Sequence, residues 1–225
     1  EFFEAVGLLV LEGYGLTECS PFATYNHNYH HKHGSVGTPI ENVDVRIVDE
    51  EGKEVPSGEQ GEIIIRGPNV MKGYYKEPEL TSGILTRDGW LKTGDLGIFD
   101  RDGYLYIKGR LKNMIVLSGG ENIYPEEIES VINNFRHVLD SLVLEQKGKL
   151  VALVHFNREE IEEHYSHLRN EFRNFVELTL DELRIELQHY VNHRVNRFSQ
   201  VQMVLLQPEP FEKTATMKIK RYLYR

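Results

Sequence analysis

Gly109-Arg110-Leu111-Lys112-Asn113-Met114-Ile115-Val116-Leu117-Ser118-Gly119-Gly120-Glu121-Asn122 stands where the chain changes character. A strand-like run, Tyr104-Leu105-Tyr106-Ile107-Lys108, precedes it, and Pro125-Glu126-Glu127-Ile128-Glu129 opens a helix behind it. Arg110 can fork onto hydroxyls or a phosphate, and Lys112 follows close behind. The glycine pair lets backbone approach a ligand. A basic strand edge followed by a tight turn reads the same from this stretch alone. Short strands and turns lie upstream, helices and longer strands downstream, so a domain boundary belongs close to Gly109.

Composition narrows the function classes. At 225 residues there is apolar material for one large core or two small ones. The formal net charge of −9 argues against nonspecific nucleic-acid binding, which needs a basic face. A single cysteine, Cys19, excludes an internal disulfide framework and fits a reducing, cytoplasmic location. No apolar run approaches the ~20 residues that span a bilayer. The start, Glu1-Phe2-Phe3-Glu4-Ala5-Val6-Gly7, lacks both an initiator Met and the basic segment of a signal peptide. It reads as the end of an amphipathic helix, so a fragment is expected.

Upstream of the boundary, Leu8-Leu9-Val10-Leu11-Glu12 is expected to be a short buried strand leading into Gly13-Tyr14-Gly15-Leu16-Thr17-Glu18. Two glycines around an aromatic form a loop where backbone and a flat ring can meet a planar ligand. Thr17 and Glu18 add a hydroxyl and a hard carboxylate, oxygens that suit phosphate and Mg²⁺. A strand-to-turn connection with a stacked Tyr would read the same. His27, His30, His31 and His33 sit among Asn, Tyr and Lys without a nearby cysteine, and a solvated loop is the better reading than a metal site. From Gly34 to Lys108 short strands alternate with turns: Val43–Val48, Gly61–Arg66, and a hairpin of Gly94–Phe99 with Gly103–Ile107. These predict a small distorted β-barrel or sandwich. Asp95, beside a glycine at a strand entrance, can take two adjacent sugar hydroxyls, although Asp in a turn commonly bonds its own backbone.

Downstream, Pro125 to Asn134 is a helix with Pro and acidic residues at its start. Ser141–Leu144 and Leu150–Val154 read as strands joined by Lys147-Gly148-Lys149. Residues 158–177 form a charged helical stretch, read as a surface insertion. Asp181–Asn196 is amphipathic, with Leu183, Leu187, Tyr190 or Val191, and Arg194 along it. Val201–Leu206 is a strand stopped by Pro208-Glu209-Pro210. The tail, Glu212-Lys213-Thr214-Ala215-Thr216-Met217-Lys218-Ile219-Lys220-Arg221, is basic and, by itself, reads as a solvated terminus. The fold class is therefore α+β: a small distorted β-barrel or sandwich subdomain followed by a compact α+β C-terminal domain.

Five segments stand in order: Tyr14–Glu18; Gly61-Glu62-Ile63, Arg66-Gly67-Pro68 and Met71-Lys72-Gly73-Tyr74; Asp88–Gly97; Gly109–Glu129; and Lys213-Thr214 with Lys218-Ile219. That series closely resembles the adenylate-forming superfamily of acyl-CoA synthetases, firefly-type luciferases and peptide-synthetase adenylation domains. The likeness runs from about Val10 to Arg225 and is weakest over residues 157–180. Gly119–Glu129 and the Lys218-Ile219-Lys220-Arg221 ending resemble bacterial AMP-forming long-chain fatty-acid–CoA ligases most.

The resemblance implies a division into residues 1–35, the tail of a large adenylation domain; 36–110, the barrel-like subdomain; and 111–225, a mobile C-terminal domain. It implies ATP, Mg²⁺ and coenzyme A as co-substrates and cofactor, and a carboxylic acid, expected to be a long-chain fatty acid, as substrate. An apolar acid leaves room for peripheral membrane contact. Gly13, Tyr14 and Gly15 would meet the nucleotide, Tyr14 stacking on adenine, and Thr17 would bond the α-phosphate. Glu18 would hold Mg²⁺. Asp95 and Arg110 would grip the ribose hydroxyls, Lys112 would be the hinge, and Gly119 and Gly120 would face CoA. Lys218 would bridge the substrate carboxylate and α-phosphate, with Lys220 and Lys213 as fallbacks because Met217 replaces the family's usual Gly. The family's Ser/Thr- and Gly-rich phosphate loop is absent from these residues, so they are expected to be inactive alone and to need the rest of the N-terminal domain. Adenylation for a carrier-protein thiol, or a non-catalytic interaction module, are the competing readings.

Overall fold

A computed structural model describes residues 2–164 and 175–224. The chain divides after Lys112 into two units, Glu1–Lys112 and Asn113–Arg225.

In the first unit a helical turn, α1 (Phe2–Ala5), leads to β1 (Gly13–Tyr14). Leu8–Glu12, expected as a buried strand, is neither: Leu8, Leu9 and Val10 are about half exposed and the segment lies in no sheet. Apolar composition alone cannot make a strand, because a strand needs ladder partners, and the described neighbours offer only Asn26, whose backbone N–H and side-chain amide both donate to Glu12 C=O. β1 pairs with β2 (Thr24–Tyr25), which pairs with β3 (Thr38–Pro39), all antiparallel. A four-stranded antiparallel meander follows: β4 (Asp44–Val48), β5 (Gln60–Arg66), β6 (Leu91–Phe99) and β7 (Leu105–Arg110). Leu105 stitches the two sheets together, its C=O accepting from Val36 N–H and its N–H donating to Gly37 C=O. The strand period of two sends Ile47, Ile63, Ile65, Leu91 and Leu105 into one core that also takes in Cys19 and Ala23. A short helix, α2 (Pro78–Ile84), interrupts the strands where none was expected, with Pro at its start and Glu79 in its first turn.

The second unit opens with a small hairpin, β8 (Ile115–Val116) and β9 (Asn122–Ile123), then α3 (Pro125–Asn133). β10 (Val138–Gln146) and β11 (Lys149–Phe156) form a long antiparallel hairpin around Lys147-Gly148. α4 (Arg158–His164) and α5 (Phe175–Asn192) carry the chain to β12 (Met203–Leu206), which joins β11 in parallel. The middle of the expected 158–177 insertion lies outside the described residues. Helix α5 begins before Asp181 and ends at Asn192, so Arg194 stacks on Tyr190 from beyond the helix, 3.7 Å from the ring centre, rather than lying along it. Both faces of the sheet are covered. Val143, Ala152 and Val154 pack with Ile128 and Ile132 of α3 and Leu183, Leu187 and Val191 of α5. On the other face Leu142 and Leu144 pack with Phe211, Ile219 and Tyr224 of the tail. Burial on both faces explains why these strands read as continuous apolar runs.

Candidate functional site

Sheet register builds the centre of the site in the first unit. Asp95 on β6 stands directly opposite Arg110 on β7. Arg110 Nε lies 2.6 Å from Asp95 Oδ1, and Tyr14 donates its hydroxyl to Asp95 Oδ2 at 2.7 Å. The Asp95 side chain is 7% exposed and that of Arg110 37%, so a buried carboxylate is reached through a half-exposed guanidinium. Thr93 sets the strand backbone, donating to Ile63 C=O at 2.7 Å and accepting from Asp95 N–H at 3.0 Å. Burial, then the Asp95 charge, pushes the Tyr14 hydroxyl far above its usual value, which keeps it a donor. The sequence offered no sign that Tyr14 contributes its hydroxyl here.

Thr17 and Glu18 lie in a tight helical turn, Thr17–Cys19, anchored by the fully buried Cys19. Gly15 makes this turn possible: a Cβ there would sit 1.6 Å from the Pro21 carbonyl oxygen. Gly13 is less crowded, its nearest neighbour being Thr24 O at 3.1 Å. The 67–74 loop closes over the turn. Asn69 donates its side-chain amide to Cys19 C=O at 2.9 Å and Phe22 C=O at 2.8 Å, and Met71 N–H donates to Glu18 C=O at 2.8 Å. Tyr74 donates its hydroxyl to Glu18 Oε1 at 2.7 Å, a bond that raises the Tyr74 pKa. Asn69 and Tyr74 were missed as positioning residues, although Tyr74 ends one of the five segments. Thr17 is exposed. One half-exposed carboxylate suits Mg²⁺, which keeps several waters and takes its other ligands from phosphates. Among the described residues no cluster of three or more His, Cys, Asp or Glu could hold a metal ion. Nor is any helix there long and apolar enough to cross a membrane.

Lys112 is the last residue of the first unit, inside the turn Leu111–Asn113. In the second unit Gly119 and Gly120 form the tip of the β8–β9 hairpin. Gly120 has φ +86°, and a Cβ there would meet nothing within 4 Å, so its backbone is open to approach.

Lys218 sits at the end of a tight hairpin. Lys213 bridges to Ile219, Thr214 N–H donates to Lys218 C=O at 2.8 Å, and Met217 N–H donates to Thr214 C=O at 2.9 Å. The three lysines of the tail differ in their engagements. Lys213 Nζ pairs with Asp140 at 2.8 Å, and Lys220 Nζ pairs with Glu212 at 3.2 Å. Lys218 is exposed, and its ammonium pairs with no described residue.

Residues 1–75 match the family of AMP-binding enzymes. A long-chain-fatty-acid–CoA ligase of Yersinia pestis is 48% identical over 139 residues, 61% of this chain and 24% of that protein. A feruloyl-CoA synthase of an Amycolatopsis species is 47% identical over 131 residues, 57% of this chain and 26% of that protein. The o-succinylbenzoate coenzyme A synthetase of Bacillus subtilis, solved with its acyl-adenylate intermediate, superimposes with a TM-score of 0.80 at 28% identity. That match covers 100% of this chain and 42% of the solved one. The chain thus spans about a quarter of the length of these curated relatives. It belongs to the adenylate-forming superfamily of AMP-binding enzymes.

Proposed function

We propose that these residues serve as the C-terminal part of an ATP-dependent carboxylic acid–CoA ligase. The acid and ATP give an acyl-AMP and pyrophosphate, and CoA then displaces AMP to give the acyl-CoA. The observation that carries the reading is the Asp95 carboxylate, buried and held between Arg110 and the Tyr14 hydroxyl. A scaffold gains nothing from a buried acid presented beside a half-exposed guanidinium, whereas a ribose diol uses both.

The nucleotide lies with its ribose on Asp95 and Arg110, its adenine against Tyr14 within the Gly13–Gly15 loop, and its α-phosphate on the Thr17 hydroxyl. Glu18, oriented by Tyr74, would hold a magnesium ion, which would supply the charge that makes pyrophosphate a tolerable leaving group. Lys218 neutralises the charge that develops between carboxylate and α-phosphate, a role open to it because Lys213 and Lys220 are already paired. Lys112 is the hinge between the two half-reactions, and the open backbone at Gly120, next to Gly119 under the Glu121 carboxylate, takes the pantetheine arm of CoA.

A fatty acid is the proposed substrate, supported by the 48% identity to the Yersinia protein. The feruloyl relative matches almost as well, because what the chain shares with both is nucleotide machinery rather than an acyl pocket. In the full-length protein Lys218→Ala should slow acid-dependent ATP–pyrophosphate exchange at least ~10²-fold. Unchanged exchange would reject the assignment. Screening acids of graded length for CoA-dependent AMP release identifies the substrate.

A further inference from the structure

We propose that Arg221 is a positioning residue for Lys218, clamping the end of the tail to α3 and to the edge of β10. The proposal rests on the assignment of Lys218 above and answers what holds that lysine's hairpin in place. The hairpin itself is exposed, Met217 by 71%, and is attached to the sheet by Phe211 before it and Ile219 and Tyr224 after it. Arg221 follows directly on that attachment. Its side chain is 16% exposed, Nη2 pairs with Glu129 Oε2 and stands 3.7 Å from Glu126 Oε1, and Nη1 donates to Val143 C=O at 3.4 Å.

The carboxylates are tied in turn. Glu129 Oε1 accepts Val143 N–H at 2.7 Å. Both backbone groups of Val143 on the β10 edge are therefore met by side chains, and the tail takes the place of a further strand. Glu126 Oε1 accepts the Asn113 side-chain amide at 2.6 Å, while Glu126 Oε2 is buried with no hydrogen-bond partner among the described residues. One guanidinium therefore serves two acids, and Asn113, next after the proposed hinge, belongs to the same cluster. The other ion pairs of the tail are weaker anchors: Glu212 is 65% exposed, and Lys213 and Asp140 are each about a quarter exposed. Losing Arg221 would free the hairpin and let Lys218 leave its line of action.

The test uses the full-length protein with Arg221→Gln, Arg221→Lys and Lys218→Ala side by side. Adenylation is read by ATP–pyrophosphate exchange, and thioester formation by CoA-dependent consumption of supplied acyl-AMP. Arg221→Gln should lower exchange by roughly 10- to 100-fold while thioester formation stays within about 2-fold, because Lys218 serves only the first step. Amide hydrogen exchange across residues 212–224 should rise. Arg221→Lys, which keeps the charge but not the fork, should recover part of the loss. Exchange unchanged in Arg221→Gln would overturn the proposal. So would both half-reactions falling in step, in Arg221→Gln or, if that variant does not fold, in Arg221→Lys. If Lys218→Ala itself leaves exchange intact, the assignment of Lys218 falls and this proposal with it. If Lys218→Ala abolishes exchange and the Arg221 variants do not, only this proposal falls.

Discussion

Met217 holds a backbone conformation that suits glycine, with φ +61° at the closing position of the Lys213–Ile219 hairpin. A turn followed by one left-handed residue is a common way to close such a loop, and glycine fills that position without a steric penalty. Met217 meets that geometric demand with strain. Because its side chain is mostly exposed, Met217→Gly should lose little packing and raise stability by roughly 0.5–1 kcal/mol in chemical denaturation, with Lys218 still in place. Tyr14 poses the opposite case, where a side chain carries more than the sequence suggests. Tyr14→Phe keeps the ring and removes the donor to Asp95 Oδ2, so the KM for ATP should rise roughly 10- to 150-fold with the fold intact, the value of one hydrogen bond to a charged group at about 1.5–3 kcal/mol. An unchanged KM would show that the Tyr14 hydroxyl does not orient the carboxylate for ATP.

How much of each element can be read from sequence depends on whether its partners are local. The β6–β7 hairpin is legible because Asp100-Arg101-Asp102-Gly103 marks the turn, but the pairing of Asp95 with Arg110 is not, because a register shift between Leu96 and Gly97 moves Asp95 from Gly109 to Arg110. The amphipathic core of α5 is legible from Leu183 and Leu187, and Val191 rather than Tyr190 is the fully buried member at the end of that stripe. Leu8–Glu12 misleads because its apolar side chains say nothing about ladder partners. Helix α2 escapes notice because only Pro78 and Glu79 signal it, without an apolar stripe, and none of its residues is buried. Glycines are legible as positions but not as reasons. Gly15 looks like ligand clearance and proves to be clearance for Pro21, so Gly15→Ala should force the Thr17–Glu18 turn to shift. The cost should be about 1–3 kcal/mol, as for other insertions into tight packing, read as a lower melting temperature together with weaker nucleotide binding.

Across the whole chain, charges far apart in sequence settle what no local pattern shows. Burial raises the Glu129 carboxyl from 4.5 to about 7, against the pull of Arg221 and Val143 N–H. The folded state therefore binds that proton more tightly than the unfolded state, and stability contributed by the protonated acid is lost as pH rises from about 4.5 through about 7. Glu129→Gln should flatten the pH dependence of stability in that window.

The division at Lys112 leads to a prediction of another kind. The residues proposed to contact the nucleotide, Tyr14, Thr17, Glu18, Asp95 and Arg110, belong to one unit and Lys218 to the other, so the proposed chemistry needs the chain to set both around one substrate. If Lys112 is the hinge, its φ must change between the half-reactions, and proline would fix that angle near −65°. Proline is tolerated early in a helical turn, and Lys112 is the second residue of Leu111–Asn113, so the substitution should leave the fold intact. In the full-length protein Lys112→Pro should keep ATP–pyrophosphate exchange within about 2-fold and slow thioester formation from supplied acyl-AMP at least 10-fold. Equal loss in both half-reactions would place the pivot elsewhere, because a residue that only joins two units has no reason to spare one step and stop the other.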